Sequence, residues 1–165
     1  MKNKKGTTLI ELIIYVGMLA VMSVSIAFFT ASFFRWSSRG AVVAEVEQQG
    51  VFVSRLIFDS IVGARAINSP VQAQSDTSLS LDVIDSNDDP TIFEVASGAL
   101  RIKEGGSNWV DLTNSKVVVS DFSVKNLSGS DTPGVVRVIF TLKYDNPGSS
   151  SYNYARDFYV TASIR

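Results

Sequence analysis

From residue 7 to residue 34 nearly every position is apolar, and Glu11 is the only formally charged residue in the stretch. Between residues 41 and 66 the pattern changes. Val43, Val46, Gly50, Val53, Ile57, Ile61 and Ala64 recur at steps of three or four, while Arg39, Glu45, Glu47, Gln48, Arg55 and Asp59 hold most of the other positions. The first pattern predicts a helix that is apolar all round, and the second an amphipathic helix with one dry face. No proline occurs between Thr7 and Pro70, and Asn68-Ser69-Pro70 closes the element. The two patterns therefore read as one helix of about 60 residues, about 90 Å long at ~1.5 Å per residue. Gly17, Gly40 and Gly50 lie within it, as places for close packing or slight bending rather than hinges.

From Ser78 onward the period is two, and turn residues arrive every few positions. Leu79, Leu81 and Val83 alternate with polar residues up to Asp85-Ser86-Asn87-Asp88-Asp89-Pro90. Residues 91–95 return, Ser97-Gly98 turns, Leu100 and Ile102 point inward, and Glu104-Gly105-Gly106-Ser107 turns again. Residues 109–112, 117–127, 135–144 and 152–164 supply further strands. In the last of these Phe158, Val160, Ala162 and Ile164 share one face, and Asp157, Tyr159, Thr161 and Ser163 the other. The expected fold is α+β: a long N-terminal helix whose amphipathic half covers the dry face of an antiparallel β-sheet.

The apolar run is long enough to cross a bilayer, since ~20 residues cover ~30 Å of hydrocarbon. Lys2, Lys4 and Lys5 precede it, which orients the N-terminus toward the cytoplasm and everything after Arg35 to the far side. Arg35-Trp36-Ser37-Ser38-Arg39 marks the outer interface, an indole at headgroup level beside cations. Glu11 is the oddity, because a carboxylate in hydrocarbon is costly and usually has a partner or a task. Cleavage between Gly6 and Thr7 would create an α-amino group, mostly protonated at neutral pH with a pKa of ~7.7–8.0. Thr7 and Glu11 are one helical turn apart, about 6 Å. Joining that cation and anion, within a chain or between parallel neighbours, removes two desolvation costs together and sets the stagger of adjacent helices.

Composition narrows the chemistry. The 165 residues leave room for one exported domain, and beyond Phe34 the 12 Lys and Arg against 15 Asp and Glu make it mildly acidic. No nucleic-acid partner is expected from that balance. Cysteine and histidine are absent, which removes disulfides, thiol nucleophiles, the commonest metal ligand and the commonest general base. No serine has a histidine to activate it, and no phosphate loop or paired-carboxylate motif is evident, so neither catalysis nor a cofactor is expected. Asp85, Asn87 and Asp89 match the first three ligand positions of a calcium loop. Pro90 stands where glycine is required and Ala96 where the bidentate glutamate belongs, so the run reads as a solvated hairpin tip. Residues 128–134 and 145–151 form long polar loops, suited to connection or to contacts with other subunits. Tyr152, Tyr154 and Tyr159 suit an interface patch or, equally, strand propensity.

At its N-terminal end the chain resembles the prepilin-type cleavage and methylation family, the subunits of type IV pili, competence pili and type II secretion pseudopili. The resemblance rests on the basic leader Lys2–Lys5, on Gly6, on Leu9-Ile10-Glu11 and on the apolar helix, all within residues 1–34. It implies a pilin-like fold, a prepilin peptidase that cuts after Gly6, and Glu11 pairing with the Thr7 amine of a neighbouring pilin or pseudopilin subunit. The chain departs from the family at Thr7, where Phe is usual and is N-methylated, at Phe28, where major pilins commonly carry Pro, and in lacking the usual C-terminal cysteine pair. Gln49-Gly50-Val51-Phe52-Val53-Ser54-Arg55-Leu56-Ile57-Phe58-Asp59, with Ala64-Arg65-Ala66-Ile67, is similar to the corresponding helix of J-type minor pseudopilins and W-type minor pilins.

The resulting expectation is a leader over residues 1–6, a transmembrane and assembly half of the helix over 7–34, an amphipathic half over 35–67 and a sheet domain over 68–165. The protein is then a single-pass cytoplasmic-membrane protein, N-terminus inside, built as a minor subunit into a filament or its tip. The rival from another class is a signal-anchored extracytoplasmic binding module, neither cleaved nor polymerised. An ordinary secretory signal peptide has a shorter apolar core, ~7–15 residues, with a small-residue cut site behind it; a plain signal anchor would carry Glu11 incidentally.

Overall fold

A computed structural model describes residues 8–130, 134–145 and 153–165, without the side chains of Arg35 and Ser38. Among the described residues one helix, α1 (Leu9–Gly63), precedes nine strands: β1 (Ala64–Ser69), β2 (Ser75–Asp76), β3 (Ser78–Val83), β4 (Thr91–Ala96), β5 (Ala99–Glu104), β6 (Val110–Asp111), β7 (Val117–Asn126), β8 (Val135–Tyr144) and β9 (Ala155–Ser163). The chain separates into two compact units, Met1–Ala41 and Val42–Arg165.

The first unit is the apolar part of α1. Its large side chains, among them Leu9, Ile13, Leu19, Ile26 and Phe33, are exposed. Among the described residues α1 is the one helix long and apolar enough to cross a membrane. Three of its hydroxyls are satisfied locally: Ser23, Ser25 and Thr30 donate to the carbonyls of Leu19, Val21 and Ile26 at 2.8, 2.9 and 2.8 Å. In hydrocarbon such internal pairing replaces the water these groups would lose.

The second unit is α+β, as expected, but with two antiparallel sheets where a single meander was foreseen. One runs β1-β3-β4-β5-β6 and the other β2-β7-β8-β9. Residues 42–63 of α1 pack with both over a common core. Val46, Val53, Ile57 and Ile61 come from the helix, Leu79, Leu81, Phe93 and Leu100 from the first sheet, and Val124, Val138, Phe140 and Leu142 from the second. The dry stripe of the helix starts at Val42, 8% exposed, rather than at Val43, 38% exposed. Val42, Val46 and Gly50 keep the four-residue step that leads to Val53 and Ile57, and Val43 falls one position off it.

The helix ends earlier than its sequence pattern suggests. Gly63 closes it, and residues 64–69, of which 64–67 read as helix, form β1 with Ala66 opposite Asp82 and Ile67 opposite Leu81. Pairing with β3 satisfies the backbone of this segment and lets Ile67 pack on the core, which outweighs its local helical pattern. At the β4–β5 turn Ser97 and Gly98 both have positive φ, 52° and 78°, the two-residue hairpin geometry whose twist matches the strands. Phe158, Val160 and Ala162 face inward from β9, and Asp157, Tyr159, Thr161 and Ser163 outward, as the alternation predicts.

Candidate assembly site

Gly6 and Thr7, the residues of the expected cleavage, lie outside the described residues. Glu11 is described and sits in the first turn of α1, where its backbone N–H donates to the Thr8 carbonyl at 3.1 Å. A carboxylate at this end of a helix faces the unpaired N–H groups and the positive end of the helix dipole, an arrangement that favours its charge. One turn on, the Tyr15 hydroxyl donates to Glu11 Oε1 at 3.1 Å. Glu11 is consequently half-buried among exposed apolar neighbours. Tyr15 is not among the residues that the hydropathy pattern singles out; its i, i+4 spacing from Glu11 is the signal that marks it.

About three helical turns beyond the apolar half, two glutamates tie α1 to the sheets. Glu45 accepts from Asn114 Nδ2 at 2.7 Å and from Lys116 Nζ at 3.3 Å, just before β7. Glu47 accepts from the Tyr154 hydroxyl at 2.9 Å and is ion-paired with Arg156 at the start of β9. The Asn114 and Lys116 bonds hold the Glu45 carboxyl below its usual range. The Arg156 and Tyr154 bonds do the same for Glu47, and Glu47 in return raises the Tyr154 hydroxyl. In the sequence both glutamates fall on the polar side of the helix and no local pattern indicates these ties; their partners lie about 70 and about 107 residues away.

About one turn beyond Glu47 the helix presses directly on the sheet at Gly50. A Cβ there would lie 1.9 Å from Cζ of Phe158, whose ring stacks on Phe140 with centroids 5.2 Å apart. Gly50 is thus a close-packing glycine, one of the two roles its sequence position allowed.

The remaining sequence candidates are dispersed. Tyr154 is taken up by Glu47, Tyr159 is exposed on the outward face of β9, and Tyr152 lies outside the described residues, so the described tyrosines form no common patch. Asp85 Oδ1 accepts from Asn87 N at 2.9 Å and from Asn87 Nδ2 at 3.0 Å, and Asp89 Oδ1 from Val83 N at 3.3 Å. These carboxylates are spent on closing the β3–β4 turn, and among the described residues no group of three acidic side chains converges. A cleft of about 440 Å³ opens beside the Ser97-Gly98 turn, lined in part by Arg101, Asp111, Thr113 and Asn114. Arg101 is already held by Glu94 and lies over the Trp109 ring at 4.3 Å.

Comparison of the chain with protein-family models, with curated proteins and with solved structures gives no match.

Proposed function

We propose that the protein is a minor pilin or pseudopilin, a non-enzymatic structural subunit of a type IV pilus-like or type II secretion filament. The observation that carries this reading is Glu11: one carboxylate in the first turn of a helix whose other side chains through Phe34 are almost all apolar and exposed. Nothing in its own described surroundings neutralises it. Tyr15 supplies a single neutral donor, which lowers the cost of the carboxylate in lipid without removing it. A cationic amine made at Thr7 by cleavage after Gly6 is the missing partner, and a prepilin peptidase is the enzyme that makes it. The exposed apolar side chains then pack laterally against copies or homologous subunits, with the Glu11–amine pair setting their stagger. The folded unit behind the helix is carried to the far side of the cytoplasmic membrane and along the filament.

The test is intact mass together with assembly. Protein extracted from a membrane with an active prepilin peptidase should begin at Thr7 and co-fractionate with filament subunits. A mature chain that retains residues 1–6 and remains monomeric in the membrane would refute the reading and favour a tethered binding module. Glu11→Ala should abolish incorporation while leaving cleavage intact; normal incorporation of that variant would remove the pairing.

A further inference from the structure

The edges of the two sheets are not alike. β2 and β6 are two residues long, and β1 is broken by two register shifts against β3. Short or bulged edges offer little backbone for another chain to pair with. β9 is different: nine residues, no proline, and an unbroken register with β8 from Val135 opposite Ser163 to Lys143 opposite Ala155.

That register decides which backbone groups of β9 are taken. Ile164 N donates to Gly134 O at 2.8 Å and Tyr144 N to Tyr154 O at 2.9 Å, so the even-numbered residues form the hydrogen-bonded pairs with β8. In an antiparallel ladder the intervening residues turn their N–H and C=O groups the other way. Ala155, Asp157, Tyr159, Thr161 and Ser163 therefore direct theirs away from β8, where, among the described residues, the sheet has no further strand. Phe158, Val160 and Ala162 of β9 are buried on the inner face, as are Val136, Val138, Phe140 and Leu142 of β8.

We propose that the free edge of β9 is a docking site for an extended segment of another protein chain, which adds to the four-stranded sheet as a further antiparallel strand. The backbone row at 155–163 recognises backbone, and the alternation of β9 sets the rest. The incoming segment carries small or branched apolar side chains opposite Phe158, Val160 and Ala162, and polar ones on the outer face beside Tyr159 and Thr161. A second copy pairing β9 to β9 about a two-fold axis is the less suitable occupant. Gly50 lies on Phe158 and Glu47 on Arg156, so residues 42–63 and β9 run in the same sense. Two-fold pairing would put the two Val42 ends on opposite sides, whereas copies anchored in one bilayer have them on the same side. The site serves a polymerising subunit and a tethered module alike, so it does not rest on the filament reading.

The experiment uses the full chain in detergent micelles, with residue-resolved amide exchange and the synthetic peptide Lys-Val-Thr-Val-Thr-Val-Thr-Lys as probe. The peptide should slow exchange at Asp157, Tyr159 and Thr161 saturably, by about tenfold or more, and leave Phe158 and Val160 as they were. Thr161→Pro removes an outward N–H and no bond to β8, so the protein should stay folded while the slowing at Asp157 and Tyr159 is lost. Asp157→Pro repeats the test at an independent position should Thr161→Pro fail to fold. The proposal is overturned if the peptide at millimolar concentration slows none of these amides. It is equally overturned if they are already slow in dilute peptide-free protein, or if they slow with rising protein concentration alone, which would make the occupant a second copy.

Discussion

Replacing Gly50 by alanine sets two effects of opposite sign against each other. In a helix interior alanine is favoured over glycine by about 1 kcal/mol, so propensity alone predicts a more stable protein. Packing predicts the reverse. The new methyl would sit 1.9 Å from Phe158 Cζ and 2.3 Å from each of Cε1 and Cε2, against an ordinary carbon–carbon separation of ~3.5–4 Å. Retreat of Phe158 is opposed by Phe140, whose ring lies nearly parallel to it, at 16° and 5.2 Å between centroids, and is fully buried. Overpacking of this kind costs about 1–3 kcal/mol, and a clash deeper than 1 Å belongs at the upper end of that range. The expected net effect is destabilisation by about 2 kcal/mol, or a fall in Tm of roughly 8 °C for a unit of this size. The assay is thermal unfolding of the full chain in micelles followed by near-ultraviolet circular dichroism. Gly40→Ala is the control, since nothing lies within 4 Å of its added methyl and only propensity acts there. Phe158→Leu should partly rescue Gly50→Ala, with a coupling of about 1 kcal/mol in a double-mutant cycle. If Gly50→Ala raises Tm as Gly40→Ala does, or if Phe158→Leu adds its full cost on top, the direct seating of α1 on the ring is wrong.

Two further outcomes follow from the folded geometry and a third from the proposed processing after Gly6. Glu45 and Glu47 titrate below their usual range when folded, so their ties stabilise the fold above the unfolded-state pKa and are lost as pH falls through the folded one. Unfolding midpoints measured from pH ~5 down to ~3 should therefore drop less steeply in Glu47→Gln than in the parent; parallel curves would show that the Arg156 and Tyr154 contacts carry no linked stability. Gly105→Ala should cost about 1–3 kcal/mol in chemical denaturation, because its φ is +50° and an added Cβ would meet the Asn87 carbonyl oxygen at 2.0 Å. Gly106→Ala, with nothing within 4 Å, should cost clearly less. Gly6→Ala should slow processing by a prepilin peptidase, read as accumulation of the longer chain on gels, because the enzyme must admit extended backbone beside that residue; unchanged processing would move the cut elsewhere.

Much of the architecture is written in local pattern. The unbroken apolar run, the steps of three and four from Val46 through Gly50 and Val53 to Ile57 and the strict alternation at Phe158, Val160 and Ala162 follow from periodicities of 3.6 and 2, which any chain with those residues must present. Glu11 stood out for the same reason, as one charge where the surrounding solvent preference allows none. The tertiary structure decided what no local pattern carries. It ended the helix at Gly63, where the chain turns into β1 and Ile67 pairs with Leu81 and packs on the core. It divided the strands between two sheets, since strand order depends on contacts across the chain. It matched Glu45 with Lys116 and Glu47 with Arg156, and it left β9 at an open margin. Pairings of that kind join residues far apart in the chain, and only the closing of the core around α1 brings them within reach of one another.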